Sequence, residues 1–224
     1  MGMLPSEAVR LSAIAYESYS TAKALASGLG YDVKRYYDVD NSQAYLFENE
    51  YQCVLTFRGT EFSKGRLGDI ASNIRVAARE WAGPGKVHLG YANQYVELRD
   101  KAFSFCDMVP DDKPLIATGH SMGGAMATIC AADLYARGWK LSELITFGSP
   151  KAIDAEAASY IKCPVTRFTN RSDFAPWYPP SFNLTHPTKA TKITSYGWLG
   201  PITRHMPDKY IKAVDNYMEF DYDY

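Results

Sequence analysis

The 224-residue sequence has no apolar run of about 18 residues, so no transmembrane helix is expected. Long runs of like charge are also missing: 24 basic and 25 acidic residues leave a formal net charge of −1. That balance gives no electrostatic case for nucleic acid or an anionic membrane surface, and no nucleic-acid partner is expected. Cysteine is scarce. Cys53, Cys106, Cys130 and Cys163 lie far apart without C-x-x-C spacing. This argues against a disulfide framework and a zinc site, and reads as buried thiols in a reducing compartment. The opening residues, "MGMLPSEAVRLSAIAYESY", lack a basic segment followed by an apolar one, so they do not look like a secretory leader. The expectation from these absences is a cytoplasmic protein. Linkers and internal repeats are missing too, which leaves one domain over residues 1–224.

What is present suits a packed α/β domain. Hydrophobic residues make up 46% of the chain, enough for a core at this length. Pro5, Ser6 and the apolar spacing that follows predict a starting helix ended by Gly28 and Gly30. "YDVKRYYDV", "QAYLFEN" and "YQCVLTF" read as strands. Further on, "LGYANQYVELRDKAFSFCDMV", residues 122–137 and "DAEAASYI" read as helices, between the strands "KPLIATG", "ELITFGS" and "PVTRFTN". Residues 174–204 look loop-rich, and "PDKYIKAVDNYMEF" reads as a last helix. Strands alternating with helices imply a three-layer fold around a mostly parallel sheet.

The chemistry-bearing stretch is "TGHSMGGAMATI", residues 118–129. Gly119-His120-Ser121-Met122-Gly123 is a G-x-S-x-G pattern, weak alone but here set between a buried strand and an Ala-rich helix. A nucleophile elbow needs that context: a sharp turn exposes the serine hydroxyl, and a β-carbon at Gly119 or Gly123 would clash. The helix behind Ser121 directs N–H groups at the site, so the Met122 N–H is a candidate oxyanion donor. A serine hydroxyl needs a base, and the base needs an orienting carboxylate. Chain order on such sheets is serine, acid, histidine. Of His88, His120, His186 and His205, only His186 and His205 follow with room for an acid between. Asp173 directly follows the strand "VTRFTN", where catalytic groups gather. Asp154 is the rival, although it heads a predicted helix and suits an N-cap.

At this point the sequence resembles the class 3 lipases. The likeness is carried by "VLTFRGT" at 54–60, "VHLGYANQY" at 87–95, "ATGHSMGGAMA", "LITFGSPK" at 144–151 and "RFTNRSDFAPWYPP" at 167–180. The resemblance implies an α/β-hydrolase fold and a carboxylic ester hydrolase acting on lipids or other acyl esters, without a cofactor or metal. It implies Ser121 as nucleophile, Asp173 as acid and His205, followed by a tyrosine, as base, with His186 the alternative. It further implies Thr60 as the second oxyanion donor, shaped by Arg58 and Gly59. Residues 61–85 fall where the family carries its lid, and their apolar positions Ile70, Ile74, Ala77, Ala78 and Trp81 fit either a lid helix or an ordinary surface helix. Two alternatives stay open: acyl transfer or thioester hydrolysis at the same serine, and a catalytically silent lipid-binding or scaffold module.

Overall fold

The computed structural model describes residues 2–39, 42–59, 78–107, 109–180, 183–197 and 199–220. Two helices come first, α1 (Pro5–Ile14) and α2 (Tyr19–Gly28). The single starting helix expected from sequence is therefore divided. Ser18 caps the second helix by accepting the Thr21 N–H, which starts a new helix at that point. Strands β1 (Asp32–Val39), β2 (Ser42–Glu48) and β3 (Cys53–Phe57) follow as an antiparallel meander. Asn49 closes the turn into β3 by accepting the N–H groups of Tyr51 and Gln52.

Next come β4 (Ala78–Glu80), inside the expected lid segment, then β5 (Lys86–His88) and α3 (Leu89–Cys106). Then β6 (Leu115–His120) leads through Ser121 into α4 (Met122–Ala136), and β7 (Glu143–Phe147) precedes α5 (Ala155–Tyr160). The chain ends in β8 (Val165–Asn170), a 3-10 turn at Ala175–Trp177, β9 (Thr191–Ile193), α6 (Pro201–Arg204) and α7 (Pro207–Phe220). The main sheet runs β1-β2-β3-β6-β7-β8-β9, and every pairing from β3 onward is parallel.

Strand alternation creates two cores, one on each face of this sheet. Leu46, Leu55, Ala117 and Leu144 point to the face covered by α3, α4 and α5. Tyr45, Val54, Ile116 and Ile145 point to the face covered by α1, α2 and α7. Strands β3 and β6 are buried throughout, which is why they read as unbroken apolar runs.

The stretch 174–204, expected to be loop-rich, also supplies β9, whose three residues are too short to show a period. One local expectation needs correction: the helix expected through Ala78 and Trp81 is not formed there, since Ala78 lies in β4, and its earlier positions Ile70, Ile74 and Ala77 lie outside the described residues. Trp81 packs its ring edge-on against Tyr95 and donates its indole N–H to the Pro84 carbonyl. Its apolar surface serves the core rather than a helical stripe. Residues 61–77, the greater part of the expected lid, lie outside the described residues, as does Thr60. Among the described residues, no helix is long and apolar enough to cross a membrane.

Candidate active site

The turn between β6 and α4 places Ser121 at φ 58°, ψ −130°, a conformation that costs a non-glycine residue about 1–3 kcal/mol. Surrounding bonds hold it there. The Ser121 N–H donates to the Phe147 carbonyl at 2.8 Å, and its carbonyl accepts from Gly124 at 3.0 Å. The flanking glycines have a packing reason. A β-carbon on Gly119 would lie 2.4 Å from the Gly123 backbone, and one on Gly123 would lie 2.1 Å from the Phe57 carbonyl oxygen. The pairing of Phe57 with Gly119 brings β3 alongside the turn and creates this second contact. Met122 takes the first position of α4.

Three distant segments meet at this turn. Ser121 Oγ lies 2.8 Å from His205 Nε2. His205 Nδ1 lies 2.9 Å from Asp173 Oδ2 and 3.0 Å from Oδ1. With Nδ1–H donating to the carboxylate, Nε2 is left to accept the serine proton. Asp173 follows β8, and His205 lies between α6 and α7. All three residues are buried.

Each partner is itself held. Asp173 Oδ1 accepts the Ala175 N–H at 2.9 Å, and Oδ2 accepts the Tyr210 hydroxyl at 2.6 Å. Burial, then the Asp173 charge, pushes the Tyr210 phenol well above its ordinary value, so it stays a donor. Asn170 donates to the Arg204 carbonyl and to Ser195 Oγ, each at 2.9 Å, fixing the approach to His205. His120 turns away from the serine and places Nε2 2.7 Å from the His205 carbonyl. Because a carbonyl only accepts, Nε2 carries the proton, and Nδ1 accepts the Tyr16 hydroxyl at 2.9 Å.

Sequence reasoning named Tyr210 only as a tyrosine following His205 and missed Tyr16, Asn170 and Ser195 as supports. Asn170 had a signal in its spacing from Asp173. Tyr16, 104 residues from His120, had none. The alternative base, His186, does not meet the serine. Its Nε2 bonds the Pro176 carbonyl at 2.8 Å. The rival acid, Asp154, caps α5 by accepting the Ala157 N–H at 2.8 Å. Among the described residues, no group of three or more His, Cys, Asp or Glu is placed to hold a metal ion.

Histidines also set an acid limit on the fold. His88 is fully buried and stacked on Tyr91, with no hydrogen-bond partner for either ring nitrogen among the described residues. Burial draws it down to about 4, and draws His120 well below its ordinary value. An unfolded histidine titrates near 6.5, so below that pH the unfolded chain binds protons that the folded chain refuses. The stability is present above that value and falls as pH drops towards 4. His88 alone is expected to cost about 2 kcal/mol between pH 7 and pH 5. Half-buried Glu143, whose carboxyl is raised by burial, opposes this in part. Urea midpoints at the two pH values test the sign; a flat or rising profile refutes it.

Comparison with known proteins comes to the same place. A family model described as Lipase (class 3) matches residues 54–183. A lipase of Rhizopus niveus is 29% identical over 170 residues, covering 70% of this chain and 43% of that protein. A lipase of Rhizomucor miehei is 31% identical over 159 residues, covering 66% and 43%. The chain thus spans less than half the length of these two relatives. Among solved structures, the Rhizomucor miehei triacylglyceride lipase superposes with a TM-score of 0.70 at 23% identity, covering 85% of this chain and 78% of that one. A triacylglycerol lipase described as having a serine protease triad at its catalytic centre gives 0.69 at 22%, covering 86% and 79%. These neighbours share the α/β-hydrolase fold with this chain.

One expectation is overturned here. A relative from Penicillium cyclopium, 28% identical over 188 residues and covering 75% of this chain and 55% of that protein, is a secreted mono- and diacylglycerol lipase A. A secreted relative runs against the cytoplasmic expectation. The cysteine signal misled for a physical reason. Cys53 and Cys130 are buried, and burial raises the Cys53 thiol. Such thiols stay unreactive in either compartment and do not report on it.

Proposed function

Because the chain belongs to the class 3 lipase family, whose model matches more than half of it, we propose that it hydrolyses carboxylic esters of lipids through an acyl-enzyme on Ser121. The observation that carries this reading is the unbroken relay from Ser121 Oγ through His205 to Asp173, with each contact at 2.8–3.0 Å. Ser121 Oγ attacks the acyl carbonyl while His205 Nε2 takes its proton. The collapsing tetrahedral intermediate expels the alcohol, protonated by the same nitrogen. Water then repeats the sequence and releases the acid. Asp173 keeps the Nδ1 proton in place and stabilises the imidazolium. Met122 offers its N–H to the oxyanion from the first turn of α4, where helix N–H groups converge, and Thr60 is the second donor. The reading takes the chain as one hydrolase domain, with two cores sharing one sheet, and assigns residues 61–85 to the cover of the site.

A fluorophosphonate probe tests the reading directly. Labelling is expected on one peptide, the one containing Ser121, together with turnover of p-nitrophenyl esters from acetate to palmitate. The chain-length profile separates a short-chain esterase from a lipase. A protein that takes no label and turns over none of the esters is instead a silent lipid-binding module on the same fold.

A further inference from the structure

A cavity of about 490 Å³ opens between β8, β9 and the segment that carries Asp173. Its lining is strongly one-signed, with Lys151, Arg167, Arg171 and Lys192 set against the single carboxylate of Asp173. That carboxylate already accepts from Ala175, Tyr210 and His205. The four cations therefore share no free anion within the lining, in a chain whose formal charge is only −1.

Arg167 is the informative member. It is 5% exposed, and its recorded hydrogen bond runs from Nη1 to the Thr188 carbonyl at 2.8 Å. It has no ion pair among the described residues. A carbonyl satisfies a donor without neutralising a charge, and a buried guanidinium without an anion is costly. Burial accordingly draws this group down to about 10. His186, in the same lining, is held neutral by burial and by Arg167, near 4, and adds no competing charge. At the rim Trp177 is 73% exposed, an amphipathic ring at the mouth of a cationic recess.

The geometry points to a binding site for a phosphoryl group, with the Arg167 guanidinium as its floor and Lys151, Arg171 and Lys192 around it. A guanidinium fork matches phosphate oxygens, and several cations favour a dianion over a carboxylate. Two sources carry this chemistry, an anionic phospholipid headgroup and free phosphate. The recess shares Asp173 with the relay to Ser121, so its test reads binding alone.

The experiment titrates the whole protein with inorganic phosphate at constant ionic strength, following tryptophan fluorescence. In parallel, flotation compares vesicles of phosphatidylcholine with vesicles that also contain phosphatidic acid. Because Arg167→Gln in the interior can fail to fold, the deciding variant is the exposed pair Arg171→Ala/Lys192→Ala, checked for folding by circular dichroism. Saturable phosphate binding, weakened at least about tenfold in the pair variant, is the expected result. Capture by the acidic vesicles alone, reversed by phosphate, assigns the site to a lipid headgroup. Phosphate binding without vesicle capture assigns it to a small free anion. No saturable binding by the wild type, or equal binding by the pair variant, overturns the proposal.

Discussion

Ser121→Ala is expected to lower ester turnover by about 10⁴- to 10⁶-fold while the fold survives. The two halves of that result have separate causes. The reacting part of the residue is Oγ, whose contact is His205 Nε2 at 2.8 Å. Its structural part is the backbone, which donates to Phe147 and accepts from Gly124 and Ala125. Alanine deletes the first and keeps the second, and it meets the positive φ with the same β-carbon that serine has. Stability is expected to fall by no more than about 1–3 kcal/mol, because buried His205 Nε2 loses its serine partner while the backbone contacts remain. Turnover of p-nitrophenyl butyrate and a thermal midpoint give both numbers. Residual turnover above a hundredth of wild type moves the nucleophile elsewhere.

The second large effect is at Asp173. Asp173→Asn is expected to cost about 10⁴-fold in kcat, the scale of a wrong imidazole tautomer. Every neighbour of the carboxylate is a donor: the Ala175 N–H, the Tyr210 hydroxyl and His205 Nδ1–H. An amide placed there must turn its NH₂ towards one of them. His205 can accommodate it by moving its proton to Nε2, which leaves no lone pair facing Ser121. Tyr210 cannot accommodate it as easily, because its oxygen already accepts the Asn170 N–H at 3.0 Å. Labelling by the fluorophosphonate is expected to slow in parallel with kcat, since both need the serine proton removed. A loss smaller than tenfold refutes the assigned role.

The legibility of this protein in its sequence followed the range of each interaction. The strand-turn-helix at Ser121 was readable because its cause is local: an apolar run, two glycines and an Ala-rich segment within a dozen residues. The buried strands were readable because two covered faces force continuous apolar runs. Chain order narrowed the histidines to His186 and His205, and the resemblance to a family separated them. Tyr16 on His120 and Asn170 on Arg204 were not readable, because those partners are chosen by sheet order and helix docking. Strand β9 failed for the opposite reason, being too short to carry a pattern. The break between α1 and α2 turned on one capping serine inside a helical composition.

The order of the relay along the chain also bears on when activity begins during synthesis. His205 follows Ser121 by 84 residues. At ordinary elongation rates, a ribosome takes about 4 to 17 s to add them. Strands β3 and β6 and the glycine turn are complete early in that interval, yet the serine has no base. Tyr210, which steadies the acid, is translated later still. A nascent chain of this protein therefore carries its strained serine for seconds as an inert hydroxyl. On the proposed mechanism, reactivity at Ser121 is expected only once the segment carrying His205 has seated beside the turn.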